Sequence, residues 1–190
     1  MALSKLKRKR NTATIVSSKD IFHGRVFHLR REHIIEPGGI EAIREIIVHP
    51  GSVVVLPVFP DGRILLIRQF RHAAGQSLWE LVAGRKDEGE SSIDAAHREL
   101  QEETGYTARR MRRLLDMYPA PGFLTEHMFI YLAEGLTPGT ARPEDDEKIS
   151  SRIVTLKEAE RWIRRGIIRD GKTIAGVLYY AAFVARGRQR

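Results

Sequence analysis

The sequence predicts an α+β fold, an α/β/α sandwich in which helices flank a mixed central β-sheet and a small β-rich region comes first. Three features of the chain predict it. Stretches of β-branched and alternating apolar residues fill residues 13–50. The run SVVVLPVF at 52–59 is almost continuously apolar, which is typical of a strand buried on both faces. Apolar residues at helical spacing come only later, in 91–104, 156–166 and 172–186.

The other strands follow from alternation and from turn residues. A Pro-Gly-Gly turn at 37–39 separates two strands of the N-terminal region. The segment PDGR at 60–63 predicts a hairpin in which 64–70 is the return strand beside 52–59. We expect LWELVAG, at 78–84, to form one short strand that ends in glycine. Further strands are predicted at 111–118, 127–134 and 149–155.

Residues 91–104 predict a helix whose two ends are marked in the sequence. Ser91 is a suitable N-cap, with Asp94 three residues later, and Gly105 is a natural C-terminal stop. At about 100° per residue, one side of this helix is apolar and should face the core. The residues on that side are Ile93, Ala96 and Leu100.

Three carboxylates crowd a neighbouring arc of the same helix. Glu99, Glu102 and Glu103 share a face because they lie one helical turn or one residue apart. Like charges at this spacing destabilise an isolated helix, so we expect a compensating partner. Mg²⁺ or Mn²⁺ would fit, since both prefer carboxylate oxygen, and Arg98 could orient one of the acids. The alternative is an ordinary solvated acidic face.

Composition limits the classes of function. The 190 residues are 42% hydrophobic, which is enough to bury a core, and the absence of cysteine excludes disulfides, thiolate metal sites and a cysteine nucleophile. No apolar run approaches the roughly 20 residues that a membrane span requires. The basic start of the chain lacks the apolar stretch of a secretory signal. We therefore expect a cytoplasmic protein without a membrane partner.

The formal net charge of +8 arises at the two ends of the chain. Basic side chains between Lys5 and Arg10, and between Arg186 and Arg190, equal the whole excess. We predict a disordered basic tail at 1–12, a β-rich region at 13–50 and a main domain at 51–190. Such a tail could attract nucleic acid. A solvated, mobile terminus is the simpler interpretation.

The spacing around the acidic helix is more specific than its number of acids. From Gly84 to Tyr106 the segment is G-x5-E-x7-R-E-L-x-E-E-x-G-Y. It resembles the Nudix box, G-x5-E-x7-R-E-U-x-E-E-x-G-U, where U is a bulky aliphatic residue. Tyr106 departs from that pattern, at a packing position. The resemblance implies a Nudix fold for 51–190 and hydrolysis of a diphosphate that links a nucleoside to another group.

The resemblance also implies a role for each residue of the box. Glu99, Glu102 and Glu103 correspond to Mg²⁺ ligands, with Mn²⁺ as a substitute ion, and the Ala83 carbonyl is a candidate for one further ligand. Arg98 corresponds to the arginine that buttresses these acids. The residues expected to support the box are Gly84, Glu90, Arg98 and Gly105.

The segments around the box resemble the ADP-ribose pyrophosphatase branch of that family. HPGSVVVLPV, IRQFRHAAG and LWELVAG are similar to its segments, although Val82 stands where many members have proline. Pro121, fifteen residues beyond Tyr106, is another mark of the branch. Arg71 is then the main candidate for a contact with the substrate diphosphate, because a guanidinium can bind phosphate bidentately. Further substrate candidates are Arg68, Glu80, Phe123, Glu126 and Trp79.

Each of these candidates also has a structural interpretation. Arg71 could be a surface arginine at a strand end, and Glu80 could be a partly buried acid paired with arginine. Phe123 and Trp79 could stack on adenine, but aromatic residues more often belong to the core.

The base that activates water is expected from the acidic loop after the box. PEDDEKI, at 143–149, resembles the acidic segment of the branch, and its candidate bases are Glu144, Asp145 and Glu147. Glu126 in the preceding loop is the fallback, and Glu102 of the helix is counted among the catalytic acids. Acids in loops are more often only solvated, which is the alternative.

These observations favour Mg²⁺-dependent hydrolysis of a nucleoside diphosphate sugar, most simply ADP-ribose to AMP and ribose 5-phosphate. The alternatives are another nucleotide sugar such as GDP-mannose, a dinucleotide polyphosphate, or, more distantly, a nucleic-acid-binding module with a Nudix fold. The branch further implies a homodimer in which the N-terminal strands contribute to the partner's pocket. The arginines considered for that contact are Arg30, Arg31 and Arg44.

Overall fold

The computed structural model describes residues 12–143 and 148–185. The predicted tail at 1–12 lies outside the described residues apart from Thr12, and so do the candidate bases Glu144, Asp145 and Glu147. Across the described part of the chain, ten strands in three sheets combine with three α-helices, which confirms the predicted α+β class. These residues form two compact units.

The first unit contains the described residues up to His49 together with 120–125. Its strands are β1 (Thr14–His23), β2 (His28–Ile35) and β3 (Glu41–Val48). They form an antiparallel sheet in that order, with the predicted Pro-Gly-Gly turn between β2 and β3. The segment 120–125 joins β3 through the backbone, because Ile47 N–H donates to Phe123 O over 2.7 Å and Thr125 N–H donates to Ile47 O over 2.9 Å.

The second unit holds the remaining described residues, with seven strands in two sheets and all three α-helices. The strands are β4 (Ser52–Pro57), β5 (Ile64–Arg71), β6 (Gln76–Glu80), β7 (Val82–Arg85), β8 (Thr107–Met117), β9 (Met128–Thr137) and β10 (Ser150–Val154). The helices are α1 (Ser92–Thr104), α2 (Leu156–Arg164) and α3 (Gly171–Tyr179), with a 3₁₀ turn at His72–Ala74 and a π-helical turn at Tyr180–Val184. One sheet has the antiparallel order β10–β5–β6. The other has the mixed order β7–β4–β9–β8, in which β4 and β9 are parallel.

Alternate residues of β4 pack against helices on opposite faces of its sheet. Val54 belongs to a buried cluster that includes Trp162 of α2 and Val177 of α3. Val53 belongs to a second cluster that includes Leu100 of α1. Successive side chains of a strand point to opposite faces, so α1 covers one face and α2 and α3 cover the other. This arrangement is the predicted α/β/α sandwich.

The predicted hairpin around PDGR is wrong in its strand pairing. The turn itself forms, and Phe59 N–H donates to Arg63 O over 2.8 Å. However, β4 and β5 belong to different sheets and are joined by an isolated bridge between Val58 and Ile64. All of β4 and the first half of β5 are buried. Two strands that are apolar on both faces are better covered when each lies in its own sheet of the unit.

The single strand predicted at 78–84 is also wrong, because it breaks at Leu81. The N–H of Leu81 donates to the hydroxyl of Thr173 in α3 over 2.7 Å instead of to a neighbouring strand. The chain before the break, β6, pairs with β5, and the chain after it, β7, pairs with β4. One short segment therefore connects the two sheets.

The helix α1 has the predicted ends but a shifted buried side. Ser91 accepts from Asp94 N–H over 3.2 Å, and Gly105 ends the helix with a φ of 77°. Ile93 was expected in the core, but it is 41% exposed. The buried residues of the helix are Ala95, Ala96, Leu100 and Glu103, so the buried side is centred nearer to the glutamates and Ile93 falls at its edge. Within the described residues, every helix is too short or too polar to cross a membrane.

Candidate active site

Arg98 of α1 joins the acids of the box to one another. Its Nε and Nη2 donate to the two carboxylate oxygens of Glu90, each over 2.9 Å. Its Nη1 donates to Glu99 Oε1 over 2.7 Å and to Glu102 Oε2 over 3.0 Å. Nη2 also donates to Arg85 O over 2.9 Å. The hydrogen bonds with Glu90 raise the pKa of Arg98, and the same contacts lower the pKa of the Glu90 carboxyl.

Glu103 lies one helical turn beyond Glu99 in α1 and is buried, with 4% of its surface exposed. Its Oε2 accepts from Ala83 N–H of β7 over 3.2 Å. The resemblance made the Ala83 carbonyl a candidate metal ligand, and this stays a prediction, because the hydrogen bond to Glu103 uses the N–H of Ala83. A carboxylate at the edge of the core, held by a backbone donor, keeps α1 and β7 in a defined position.

Two glycines of the box are required by close contacts. A Cβ on Gly84 would lie 1.9 Å from Glu99 Oε1, so the Glu99 carboxylate rests directly against the backbone of β7. Gly105 has positive φ, and a Cβ there would lie 2.7 Å from Gly139 O. Both positions therefore exclude any other residue unless a neighbour moves.

The box acids fit a divalent cation by their chemistry. Among the described residues, no three acidic or histidine side chains converge as a ready-made metal-binding group. Glu99 and Glu102 share Arg98, while Glu103 is bonded to the backbone of Ala83. All three nevertheless offer carboxylate oxygens, the ligands that Mg²⁺ and Mn²⁺ prefer. The missing side chain of Gly84 leaves room for the Glu99 carboxylate beside β7.

The NUDIX domain family matches residues 48–175, which include the whole of this constellation and more than half of the chain. The chain belongs to the Nudix family. The resemblance seen in the box is thereby confirmed, and the protein is a Nudix hydrolase.

Several relatives of this Nudix protein carry a more specific name. The chain is 36% identical over 166 residues to an "ADP-ribose pyrophosphatase" of Bacillus subtilis, which is 86% of this chain and 90% of that protein. It is 38% identical over 167 residues to an "ADP-ribose pyrophosphatase" of Mycobacterium tuberculosis, covering 86% and 80% of the two chains. A crystal structure of an "ADP compounds hydrolase" superimposes with a TM-score of 0.80 at 21% identity, covering 94% of this chain and 96% of that one, and supports the Nudix fold.

Two of the predicted substrate residues, Arg71 and Glu80, are bound to each other. Arg71 Nε donates to Glu80 Oε1 over 3.0 Å and Nη2 donates to Oε2 over 2.8 Å, while Glu80 is completely buried. The pairing with Glu80 is the main cause that raises the pKa of Arg71, and the charges of Glu103 and Asp170 add to it. The charge of Arg71 therefore acts on Glu103 of the box as well as on its own partner.

Sequence reasoning missed two residues of this region, Lys172 and Asp170. Lys172 Nζ donates to Glu80 Oε2 over 2.6 Å and to Asp170 Oδ1 over 2.9 Å. A lysine in the first turn of a helix is unfavourable with respect to the helix dipole. That position was the available signal that Lys172 has a specific acidic partner.

The other predicted substrate residues lie in varied surroundings. The Arg68 guanidinium is 5.9 Å from the centre of the Trp79 ring, and Trp79 packs 5.3 Å from Trp162 at the edge of the core. Glu126 accepts from Ser52 Oγ over 2.7 Å. Phe123 belongs to the first unit and is 54% exposed.

The arginines considered for a contact with a second copy are all paired within the first unit. Arg31 and Arg44 each donate through Nη2 over 2.6 Å, to Glu45 and Glu36 respectively. Arg30 contacts Asp20 and Glu32 over longer distances, 3.4 and 3.3 Å. All three side chains remain at least one-third exposed.

Proposed function

We propose that this Nudix hydrolase cleaves the diphosphate bond of a nucleoside diphosphate sugar, with ADP-ribose as substrate and AMP and ribose 5-phosphate as products. The choice of ADP-ribose as substrate rests on the similarity to two proteins named ADP-ribose pyrophosphatase, each over 86% of this chain. The QFR segment that ends in Arg71 and the position of Pro121 support the same choice.

The residues that would hold Mg²⁺, or Mn²⁺ in its place, are Glu99, Glu102 and Glu103, with the carbonyl of Ala83 as a further candidate. When bound, a dication of this kind neutralises phosphate oxygens and lowers the pKa of water. Arg98 has a different task in this proposal. It binds Glu90, Glu99 and Glu102 at once, so it offsets the repulsion among the acids and fixes the loop that leads into α1.

In the proposed reaction, a water oxygen forms a bond to one phosphorus atom while the bond from that phosphorus to the bridging oxygen breaks. The water proton passes to an acidic side chain, for which Glu147, Glu144 and Asp145 are the candidates beyond the described residues. Glu102 and Glu126 are the candidates within them. Arg71 is proposed to bind a phosphate group of the substrate, since its guanidinium stays charged at every physiological pH.

We also propose that the protein is a homodimer that associates through the sheet of the first unit. β1 is an edge strand, and all ten of its residues are exposed. Its exposed side chains include the apolar residues Ile15, Val16, Ile21 and Phe22. An exposed apolar edge strand is prone to pair with another chain, so burial against a second copy would remove this liability.

The test of the proposed activity is the release of AMP from ADP-ribose by the purified protein in the presence of Mg²⁺. GDP-mannose, other nucleotide sugars and dinucleotide polyphosphates serve as competing substrates, ranked by kcat/KM. Preference for one of these over ADP-ribose would contradict the proposed substrate, while the proposed cleavage of a diphosphate bond would still hold. Binding of RNA or DNA that falls steeply with salt and disappears on deletion of residues 1–10 would instead favour the nucleic-acid-binding alternative.

A further inference from the structure

Four residues, from Glu80 to Ala83, connect the predicted substrate residues with the box. Leu81 N–H donates to Thr173 Oγ of α3 over 2.7 Å. Ala83 N–H donates to Glu103 Oε2 of α1 over 3.2 Å. The segment is therefore held by α1 and by α3, and the start of α3 can influence the position of Glu80.

Glu80 is the charged centre of this segment. Its side chain is 1% exposed, and its two oxygens accept three hydrogen bonds from cations, two from Arg71 and one from Lys172. The Lys172 side chain is itself only 10% exposed. A carboxylate buried to this degree requires cationic partners with good geometry. Both cations are therefore part of what fixes the orientation of Glu80.

Lys172 also changes the charge that this region presents. Arg71 and Glu80 alone form a neutral pair, which attracts a diphosphate weakly. Lys172 adds a positive charge, and its second partner, Asp170, caps α3 by accepting from Thr173 N–H over 2.9 Å. The positive end of the helix dipole partly offsets the charge of Asp170. Arg71, Glu80 and Asp170 alone would be net negative, so Lys172 brings the four charged groups into balance.

Arg71 keeps one edge of its guanidinium available. Its Nε and Nη2 are bonded to Glu80, whereas Nη1 makes no hydrogen bond to any described residue. The side chain is 40% exposed, so a ligand in solution can reach it. The direction of that edge is set by the plane of the Glu80 carboxylate, because the two groups are joined by two parallel hydrogen bonds.

We propose that Lys172 is a positioning residue for substrate binding, which holds Glu80 so that the available edge of Arg71 faces a phosphate group of a nucleoside diphosphate. The inference rests on the proposed function, which supplies the diphosphate. Lys172 itself does not touch the substrate and acts through Glu80 and Arg71.

The experiment compares the kinetics of ADP-ribose hydrolysis by K172M, K172R, R71Q and the double variant R71Q/K172M. K157M is the matched control, because Lys157 is an exposed helical lysine with no ion pair in the described chain. We expect K172M to raise KM about tenfold while kcat changes less than about threefold, as for lost ground-state binding. K172R should recover most of the affinity, and K157M should match the wild type.

The double variant separates positioning from a merely structural role. If Lys172 acts through Arg71, its loss should add little to KM once Arg71 is replaced, because the two effects are not independent. An unchanged KM in K172M, or a fully additive effect in R71Q/K172M, would overturn the inference. Wild-type protein that leaves ADP-ribose intact would contradict the proposed substrate alone. The same comparison would then be made with the best diphosphate of the substrate panel.

A second variant covers the case in which K172M does not fold, or in which R71Q/K172M does not fold because the buried Glu80 carboxylate has lost both cations. E80Q/K172M removes the buried negative charge together with the lysine, so no unpaired carboxylate remains in the core. We expect this variant to fold and to show the same increase in KM, since Arg71 has lost its charged anchor. A folded E80Q/K172M protein with the KM of the wild type would overturn the inference.

Discussion

The contact between Gly84 and Glu99 leads to a prediction about activity that can be worked out from distances. In Gly84→Ala the new Cβ would lie 1.9 Å from Glu99 Oε1, whereas ordinary contacts begin at 3.4 Å. The Glu99 carboxylate must therefore move by about 1.5 Å. The new Cβ cannot move instead, because it is attached to the backbone of β7, which is paired with β4. This displacement breaks the 2.7 Å hydrogen bond from Arg98 Nη1 to Glu99 Oε1. Gly84 has no positive φ, so alanine is tolerated by the backbone itself and the effect is confined to Glu99.

We expect kcat/KM of G84A to fall at least about 100-fold, because misplacement of an active-site group by about 1 Å already has an effect of that size. The assay is the initial rate of AMP release from ADP-ribose, measured over a range of Mg²⁺ concentrations. Circular dichroism and Tm check that the fold is retained. A G84A protein with kcat/KM within about threefold of the wild type would refute the reasoning.

Gly171→Ala is the matched control for that variant. A Cβ at Gly171 meets no atom of the described residues within 4 Å, and the φ of Gly171 is not positive. The substitution lies at the first residue of α3, where alanine restricts the unfolded chain without straining the folded one. We expect wild-type activity and an equal or slightly higher Tm. A loss of activity in G171A as large as that in G84A would show that alanine itself, rather than its contact with Glu99, is responsible.

Three further predictions concern a proposed metal ligand, the partner of Arg98 and the proposed dimer. Glu103→Gln should lower kcat by orders of magnitude at unchanged fold, since glutamine can still accept from Ala83 N–H but lacks the charge of a metal ligand; wild-type kcat would contradict the metal assignment. Glu90→Gln should be less stable near pH 6. Because Arg98 lowers the pKa of Glu90 in the folded protein, the difference in unfolding free energy from the wild type should shrink as the pH falls below the ordinary value of about 4.3, as measured by urea titrations. Phe22→Glu should weaken self-association in light scattering, and a wild-type protein that is monomeric at every concentration would contradict the proposed dimer.

Local features of this protein could be predicted from the sequence because short-range geometry determines them. The box occupies one loop and one helix, so the spacing of Glu99, Glu102 and Glu103 already places them on one face. The cap residues Ser91 and Gly105 act within a single helical turn, and the structure confirms both ends of α1. The box also indicates the Nudix family, and the match of that family over residues 48–175 confirms it.

The partition of strands between sheets depended on long-range packing. PDGR predicts a turn correctly, but a turn does not decide whether the strands on either side pair with each other. The break at Leu81 depends on a hydroxyl of Thr173, which lies 92 residues further along the chain. The exposure of Ile93 likewise depends on which side of α1 the sheet covers, and a helical wheel cannot include that contact.

The family, the fold class and the acids of the box could be predicted from the sequence, because each depends on local patterns of residues. What holds those residues in place depends on contacts between segments that lie far apart in the chain. Arg71 and Glu80 were candidates from their own segments, but Lys172 joins them from a helix 92 residues beyond Glu80. The burial of Glu80 requires two cations, and which side chains can supply them depends on the packing of α3 against the segment that connects the two sheets.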